Sequence, residues 1–166
     1  MDSDWQRIAT SLLVEIARHH FRERKTGYCG GNMCLYYSLS QVRKKQMLGP
    51  DFFFVKDAEP HKTRTKWEVW NENNLFPSVI IELLSPSTKT KDLGQKKKIY
   101  EQTFETAEYF AYDPADETLL GWRLSPLTSR YEPIETDQHG HMFSHELPTA
   151  CPVIQAAIVV PTMPRK

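Results

Sequence analysis

Apolar positions recur along this chain with two periods, one helical and one extended. Between residues 4 and 22, Trp5, Ile8, Leu12, Leu13 and Ile16 fall at helical spacing and predict an amphipathic helix. Ser3 followed by Gln6 has the form of a capping box. His19, His20, Arg22, Arg24 and Lys25 put positive charge at the helix end, where the dipole favours it, and Gly27 breaks the run. Residues 28–37, YCGGNMCLYY, read as a strand entered through a Gly-Gly bend. Residues 38–50 read as a polar connection carrying Arg43, Lys44 and Lys45. Residues 50–57, PDFFFVKD, predict a second strand, with Pro50 at its start where no ladder donor is needed. Residues 58–77 are charged and irregular, apart from a short strand at Trp67–Trp70, and read as an excursion between core strands.

The apolar run at 78–84 predicts the third strand. Its period of two sets Val79, Ile81 and Leu83 on one side and Ile80, Glu82 and Leu84 on the other. Both sides are apolar except for Glu82, which suits a central strand covered on both faces. A Ser/Pro/Thr turn leads into a second helix at 90–104, with Leu93, Tyr100 and Phe104 on its packing side. Asp92, Lys96 and Tyr100 recur at steps of four and share a neighbouring face. AEYFAY at 107–112 predicts a fourth strand, and DPADE turns it into TLLGWRL as a hairpin. RYEPIE and HMFSHEL read as more peripheral strands. The order is helix, three strands, helix, strand, then antiparallel additions: an α/β fold, with residues 1–166 as a single domain.

Composition narrows the partners. The chain has 166 residues, enough for a full-sized core, and its 40% hydrophobic content fits a globular protein. Lys and Arg number 21, as do Asp and Glu, so the formal net charge is +0. That argues against a non-specific polyanion binder but leaves room for a local basic patch. Cys29, Cys34 and Cys151 make an odd set without zinc-knuckle spacing, and read as reduced thiols of a cytosolic protein. The N-terminal MDSDWQR lacks an apolar signal core, and no stretch reaches the ~18 apolar residues of a membrane span. A soluble, cytoplasmic protein with no membrane partner is expected.

The candidate chemistry centres on two acids. A carboxylate buried without a partner costs several kcal/mol, so Glu82 needs a cation, a metal or a proton. Asp51, at the start of the preceding core strand, can converge with Glu82 if the two strands are neighbours. Converging carboxylates repel unless a cation lies between them, and oxygen donors favour Mg²⁺ or Mn²⁺. A lysine nearby orients water or stabilises charge at phosphorus. The sum is metal-assisted phosphodiester hydrolysis. Plainer readings stand beside it: Asp51 as a turn residue after proline, Glu82 as a structural pair with Lys96, and Lys96 as a helix-surface lysine. Glu15 lies seven residues after Ile8 on the first helix stripe, and is either an acid aimed into a site or a rim residue. His139, His141 and His145 form an H-x-H-x-x-x-H run that reads more simply as polar surface beside a Gly turn than as metal ligands. Glu68 and Asp113 read as surface or turn residues, and Tyr100 as a support near the acids. There is no Gly-rich phosphate loop and no Ser/His/Asp arrangement around a nucleophile turn.

The succession GPD and an apolar strand, VIIELLSPST, D-x-x-x-K-x-x-x-Y, and a strand ending YFAYDP resembles the Uma-type family of "putative restriction endonucleases", within the PD-(D/E)XK nuclease superfamily. The match runs from the first helix to about residue 125. The resemblance implies a restriction-endonuclease-like core and hydrolysis of DNA by an endonuclease using Mg²⁺ or Mn²⁺. It assigns Asp51 to the PD half, Glu82 to the second acid, and the backbone carbonyl of Leu83 to a further metal ligand. It also matches Glu15 to the acid some members carry on the first helix. The superfamily's lysine falls two residues after the second acid, where this chain has Leu84; the resemblance implies that Lys96, on the next helix, takes its place. Lys89, Lys91, Lys97 and Lys98 are then expected near phosphates, and a homodimer is expected by analogy. Two other readings stay open: a non-catalytic binding or assembly module that keeps the fold, and a hydrolase of a small phosphorylated substrate.

Overall fold

Helix α1 (Asp4–Phe21) lies along one face of a sheet and turns small side chains toward it. Its buried positions are Gln6, Ala9, Thr10, Leu13, Val14, Ala17 and Phe21. Ile8 and Leu12, expected on the buried stripe, are instead 50% and 48% exposed. The reason is closeness. A Cβ at Gly31 would meet Val14 Cγ2 at 2.7 Å and Thr10 Cγ2 at 3.0 Å, so the helix rests on the chain where larger side chains have no room. The structure is a computed structural model and describes residues 4–23, 25–44, 46–138 and 141–147. Ser3, Arg24, Lys45, His139 and Cys151 lie outside the described residues.

The strand expected at 28–37 is two strands in two sheets. β1 (Tyr28–Gly30) pairs antiparallel with β3 (Phe52–Val55). β2 (Cys34–Tyr36) pairs parallel with β4 (Lys66–Glu68). Gly31 forces the break, because a Cβ there would stand 2.6 Å from the carbonyl oxygen of Asp51, and Asn32 then turns the chain at φ +48°. The following connection is also not all loop: α2 (Leu39–Arg43) forms within it, and Gln41 Oε1 accepts from the N–H groups of Tyr37 at 2.8 Å and Ser38 at 3.2 Å.

The main sheet runs β1-β3-β5-β6-β7-β8, adding β5 (Val79–Leu83), β6 (Glu108–Asp113), β7 (Thr118–Leu124) and β8 (Tyr131–Pro133). Every neighbouring pair is antiparallel except β5–β6, which is parallel. A parallel pair needs a crossover, and a continuous helix over 89–102 supplies it. That helix comprises α3 (Lys89–Lys91), a π turn (Asp92–Lys96) and α4 (Lys97–Gln102). Tyr109 of β6 donates to the carbonyl oxygen of Asp92 at 3.0 Å and ties the π turn to the sheet. The expected order of helix, three strands, helix and strand is therefore present as α1, β1, β3, β5, the 89–102 helix and β6. HMFSHEL is not a strand; His145 N donates to Glu108 Oε1 at 2.8 Å, and Met142 and Leu147 pack into the core beneath α1.

β5 alternates as its sequence predicts. Val79, Ile81 and Leu83 join the α1 core, while Ile80 and Leu84 join a second core with Tyr100, Phe104, Leu35 and Trp67. The excursion at 58–77 is not a loose loop. β4 and a 3₁₀ turn (Val69–Asn71) close it, and Arg64, its side chain only 2% exposed, bonds both oxygens of Glu72 at 2.9 Å and lies over the rings of Tyr28 and Trp67. Among the described residues no helix is long and apolar enough to cross a membrane.

Candidate active site

β3 and β5 bring the two acids together. Their register pairs Phe52 with Ile81, so one step further Asp51 stands opposite Glu82. The N–H of Asp51 donates to Glu82 Oε2 at 3.3 Å, and Asp51 Oδ2 accepts from the N–H of Leu83 at 2.7 Å. Glu82 points to the face covered by the 89–102 helix. There its Oε1 accepts from Lys96 Nζ at 3.0 Å and from the Tyr100 hydroxyl at 2.9 Å. Lys96 Nζ also lies 2.8 Å from Asp92 Oδ1, a close ion pair. The lysine side chain is 11% exposed and Glu82 1%, so the group is nearly dry.

Leu84, at the superfamily's lysine position, is buried in the second core, and its backbone N–H donates to the Tyr112 carbonyl at 2.7 Å. The ammonium beside Glu82 therefore comes from the helix. The π turn serves this: its wider winding keeps Asp92, Lys96 and Tyr100 on one side of the helix, toward β5.

Charge does not balance here. Three carboxyls, from Asp51, Glu82 and Asp92, surround one ammonium. Burial, reinforced by Asp51 and Asp92, pushes Glu82 up to about 8 despite the opposing pull of Lys96. Burial likewise raises Asp51, against the Leu83 N–H bond and Lys96. Burial opposes the charge on Lys96, but Glu82 and Asp92 outweigh it and lift the lysine to about 12. We read the centre at neutral pH as a charged lysine beside a Glu82 that tends to keep its proton: a site short of positive charge.

Glu15 is not part of this cluster. It is exposed on α1, its Oε1 3.5 Å from Arg18 NH1, because the helix turns its smaller side chains to the sheet. The α1 residue that does reach the centre is Gln6, whose Nε2 donates to the Leu83 carbonyl at 2.8 Å. Sequence reasoning missed it by anchoring the stripe on Ile8 and Leu12; a stripe through Ala9, Leu13 and Ala17 passes through Gln6. Of the four lysines expected near phosphate, Lys91 lines a cavity shared with Lys96, Lys89 pairs with Asp113, Lys97 lies over the Trp122 ring and Lys98 is exposed. Glu68 pairs with Lys66, and His141 Nδ1 lies 3.3 Å from Asp137.

Among the described residues no three His, Cys, Asp or Glu side chains gather as a metal cage. Two carboxylates and a backbone carbonyl at the end of β5 are the oxygen donors on offer. A separate cavity of about 380 Å³ lies by Tyr28, at the far end of β3 from Asp51; its Arg64 is already engaged by Glu72.

A mixed sheet with this strand order, helices on both faces, acids at one end of β3 and β5 and a lysine beside them makes this a restriction-endonuclease-like fold. The chain belongs to the Uma2 family, described as "putative restriction endonuclease", whose model matches residues 2–153. A solved structure with the same fold is that of a "putative nuclease belonging to DUF820" from Anabaena variabilis ATCC 29413. The two share 12% identity at a TM-score of 0.58, over 96% of this chain and 84% of that one. No curated protein matches the chain.

Proposed function

We propose that this protein is a metal-dependent endonuclease that hydrolyses DNA phosphodiester bonds. The observation that carries the reading is Lys96 Nζ 3.0 Å from Glu82 Oε1, with Asp51 clasped to the same strand end. Asp51, Glu82 and the Leu83 carbonyl are hard oxygen donors in a centre short of positive charge, and they fit Mg²⁺ or Mn²⁺. The Leu83 oxygen has two lone pairs, so the Gln6 bond does not exhaust it. Such an ion supplies charge stabilisation at phosphate oxygens and acidifies water.

The chain's own groups do the rest. Lys96, charged at neutral pH, positions the attacking water and stabilises the charge that builds on the phosphate. Tyr100, whose hydroxyl burial and Glu82 hold in its protonated form, fixes the Glu82 carboxyl as a hydrogen-bond donor. Asp92 holds the ammonium on the second side. Cutting both strands of a duplex calls for two such centres, and a homodimer is the assembly we propose; a strictly monomeric mass at micromolar concentration would remove that part.

The test is cleavage of plasmid and single-stranded DNA with Mg²⁺ or Mn²⁺ by wild type, Glu82→Ala and Lys96→Ala. Metal-dependent cutting abolished by both substitutions supports the assignment, and cutting that survives both refutes it. A second reading, a non-catalytic module, is favoured by one observation: Lys96 and Tyr100 satisfy Glu82, and Gln6 holds the Leu83 carbonyl, without any metal. No cutting and no divalent-metal binding would select it.

A further inference from the structure

A cavity of about 390 Å³ opens beside Lys96, between α2 with the loop after it and the 89–102 helix. It is large enough for one nucleotide and far too small for a duplex. Three of its lining residues are glutamines: Gln41, Gln46 and Gln95. A carboxamide presents a donor and an acceptor side by side, the pair that matches the edge of a base. Gln41 is set in place through its Oε1, which accepts from two backbone N–H groups, so its NH₂ end is the part it presents as donor. Tyr37 and Met47 also line the cavity, and the Tyr37 ring packs in a T-shaped pair with Phe104 at 5.2 Å. They offer a flat face and a polarisable one, on which bases stack. Lys91 and Lys96 are the charged groups of the lining, and no carboxylate shares it. Arg43 and Lys44, at the end of α2, are exposed on the segment that forms one wall.

Resting on the nuclease reading above, we propose that this cavity receives one unpaired nucleotide of the substrate. The base stands against Tyr37 and Met47 and is read by the glutamine amides, and its phosphate turns to Lys91 and Lys96. The cavity shares Lys96 with the acid centre, so a base held there sets the adjoining phosphate beside Asp51 and Glu82. A base stacked inside a duplex cannot enter such a pocket. The preferred substrate is therefore a single strand or a locally opened duplex.

The test uses the full chain in metal-free buffer, where no turnover occurs. The probe is a single-stranded oligonucleotide carrying one 2-aminopurine, compared with the same oligonucleotide annealed to its complement. Wild type is expected to bind the single strand about tenfold more tightly, with a change in 2-aminopurine fluorescence. Gln46 and Gln95 are exposed, so the Gln46→Leu/Gln95→Leu variant keeps its fold and is expected to lose both effects. Equal binding of the two probes by wild type overturns the proposal, as does a preference unchanged in the double variant. Cleavage with Mg²⁺ or Mn²⁺ is scored apart. Preference without cleavage keeps the nucleotide site and removes the nuclease reading, whereas cleavage without preference does the reverse.

Discussion

Asp51 and Glu82 are clasped at one strand end by two hydrogen bonds, each running from a backbone N–H to a carboxyl. The Asp51 N–H donates to Glu82, and the Asp51 carboxyl accepts from the residue after Glu82. The clasp fixes two acids at one strand end at the cost of their mutual repulsion, which helps raise the pKa of Glu82.

Replacing Lys96 with Ala should reduce DNA cleavage by about 100-fold or more, the usual worth of one preorganised group that stabilises charge in the transition state. The fold should survive, because losing the ammonium only strengthens the hold of Glu82 on its proton. Single-turnover cleavage alongside a thermal melt separates the two effects. Activity within about twofold of wild type would rule out the role given to this lysine.

Stability without metal should fall as pH rises. Glu82 moves from 4.5 to about 8 on folding, so between those values the folded chain keeps a proton that the unfolded chain releases. Each step up in pH across that window then favours unfolding. Asp51 is also raised and adds to the low-pH part of the slope. Lys96 does not interfere: its contribution is fully present below 10.5 and is lost only as pH passes about 12. Melting temperatures from about pH 5 to about pH 8 should decline in wild type and flatten in Glu82→Gln. A flat wild-type profile would contradict the raised Glu82.

Gln6→Leu removes the donor on the Leu83 carbonyl. Loss of a buried hydrogen bond of this kind should lower stability by about 1–2 kcal/mol, read as the denaturant midpoint. If Leu83 contributes a metal ligand, the same variant should also change the metal concentration needed for half-maximal cleavage. A change in stability alone would leave Gln6 as a packing residue.

Gly31→Ala should be costly although glycine and alanine differ by one methyl. The new Cβ meets backbone, the Asp51 carbonyl oxygen at 2.6 Å, which cannot swing aside like a side-chain tip. We expect a loss of about 1–3 kcal/mol and a displaced Asp51, hence weaker cleavage even below the melting transition. A melt and an activity assay at low temperature check both.

The acid–lysine centre was legible because its logic is local. The one charged residue in the run at 78–84, Glu82, demands a partner, and the following helix supplies Lys96 and Tyr100 at helical spacing. Gln6 was not legible, because large apolar residues suggested the wrong face of α1; the helix packs so near Gly31 that small residues define the inner side. The break at Gly31 was hidden for a related reason. YCGGNMCLYY has strand-like composition throughout, and only the approach of Asp51 from β3 splits it. Long-range contacts decided both cases.

The π turn at Asp92–Lys96 has a consequence for comparing chains. It inserts a residue into the helix while α3 before it and α4 after it remain regular. A π turn is one residue inserted into an α-helix, and Gly94 lies inside it, so a chain that lacks the insertion would be one residue shorter here and bring its lysine to the acid from a regular helix. Counting from the acid to the lysine is then an unreliable ruler across homologues. Alignments that allow a one-residue gap at Gly94 should recover helix-borne lysines that a fixed spacing overlooks.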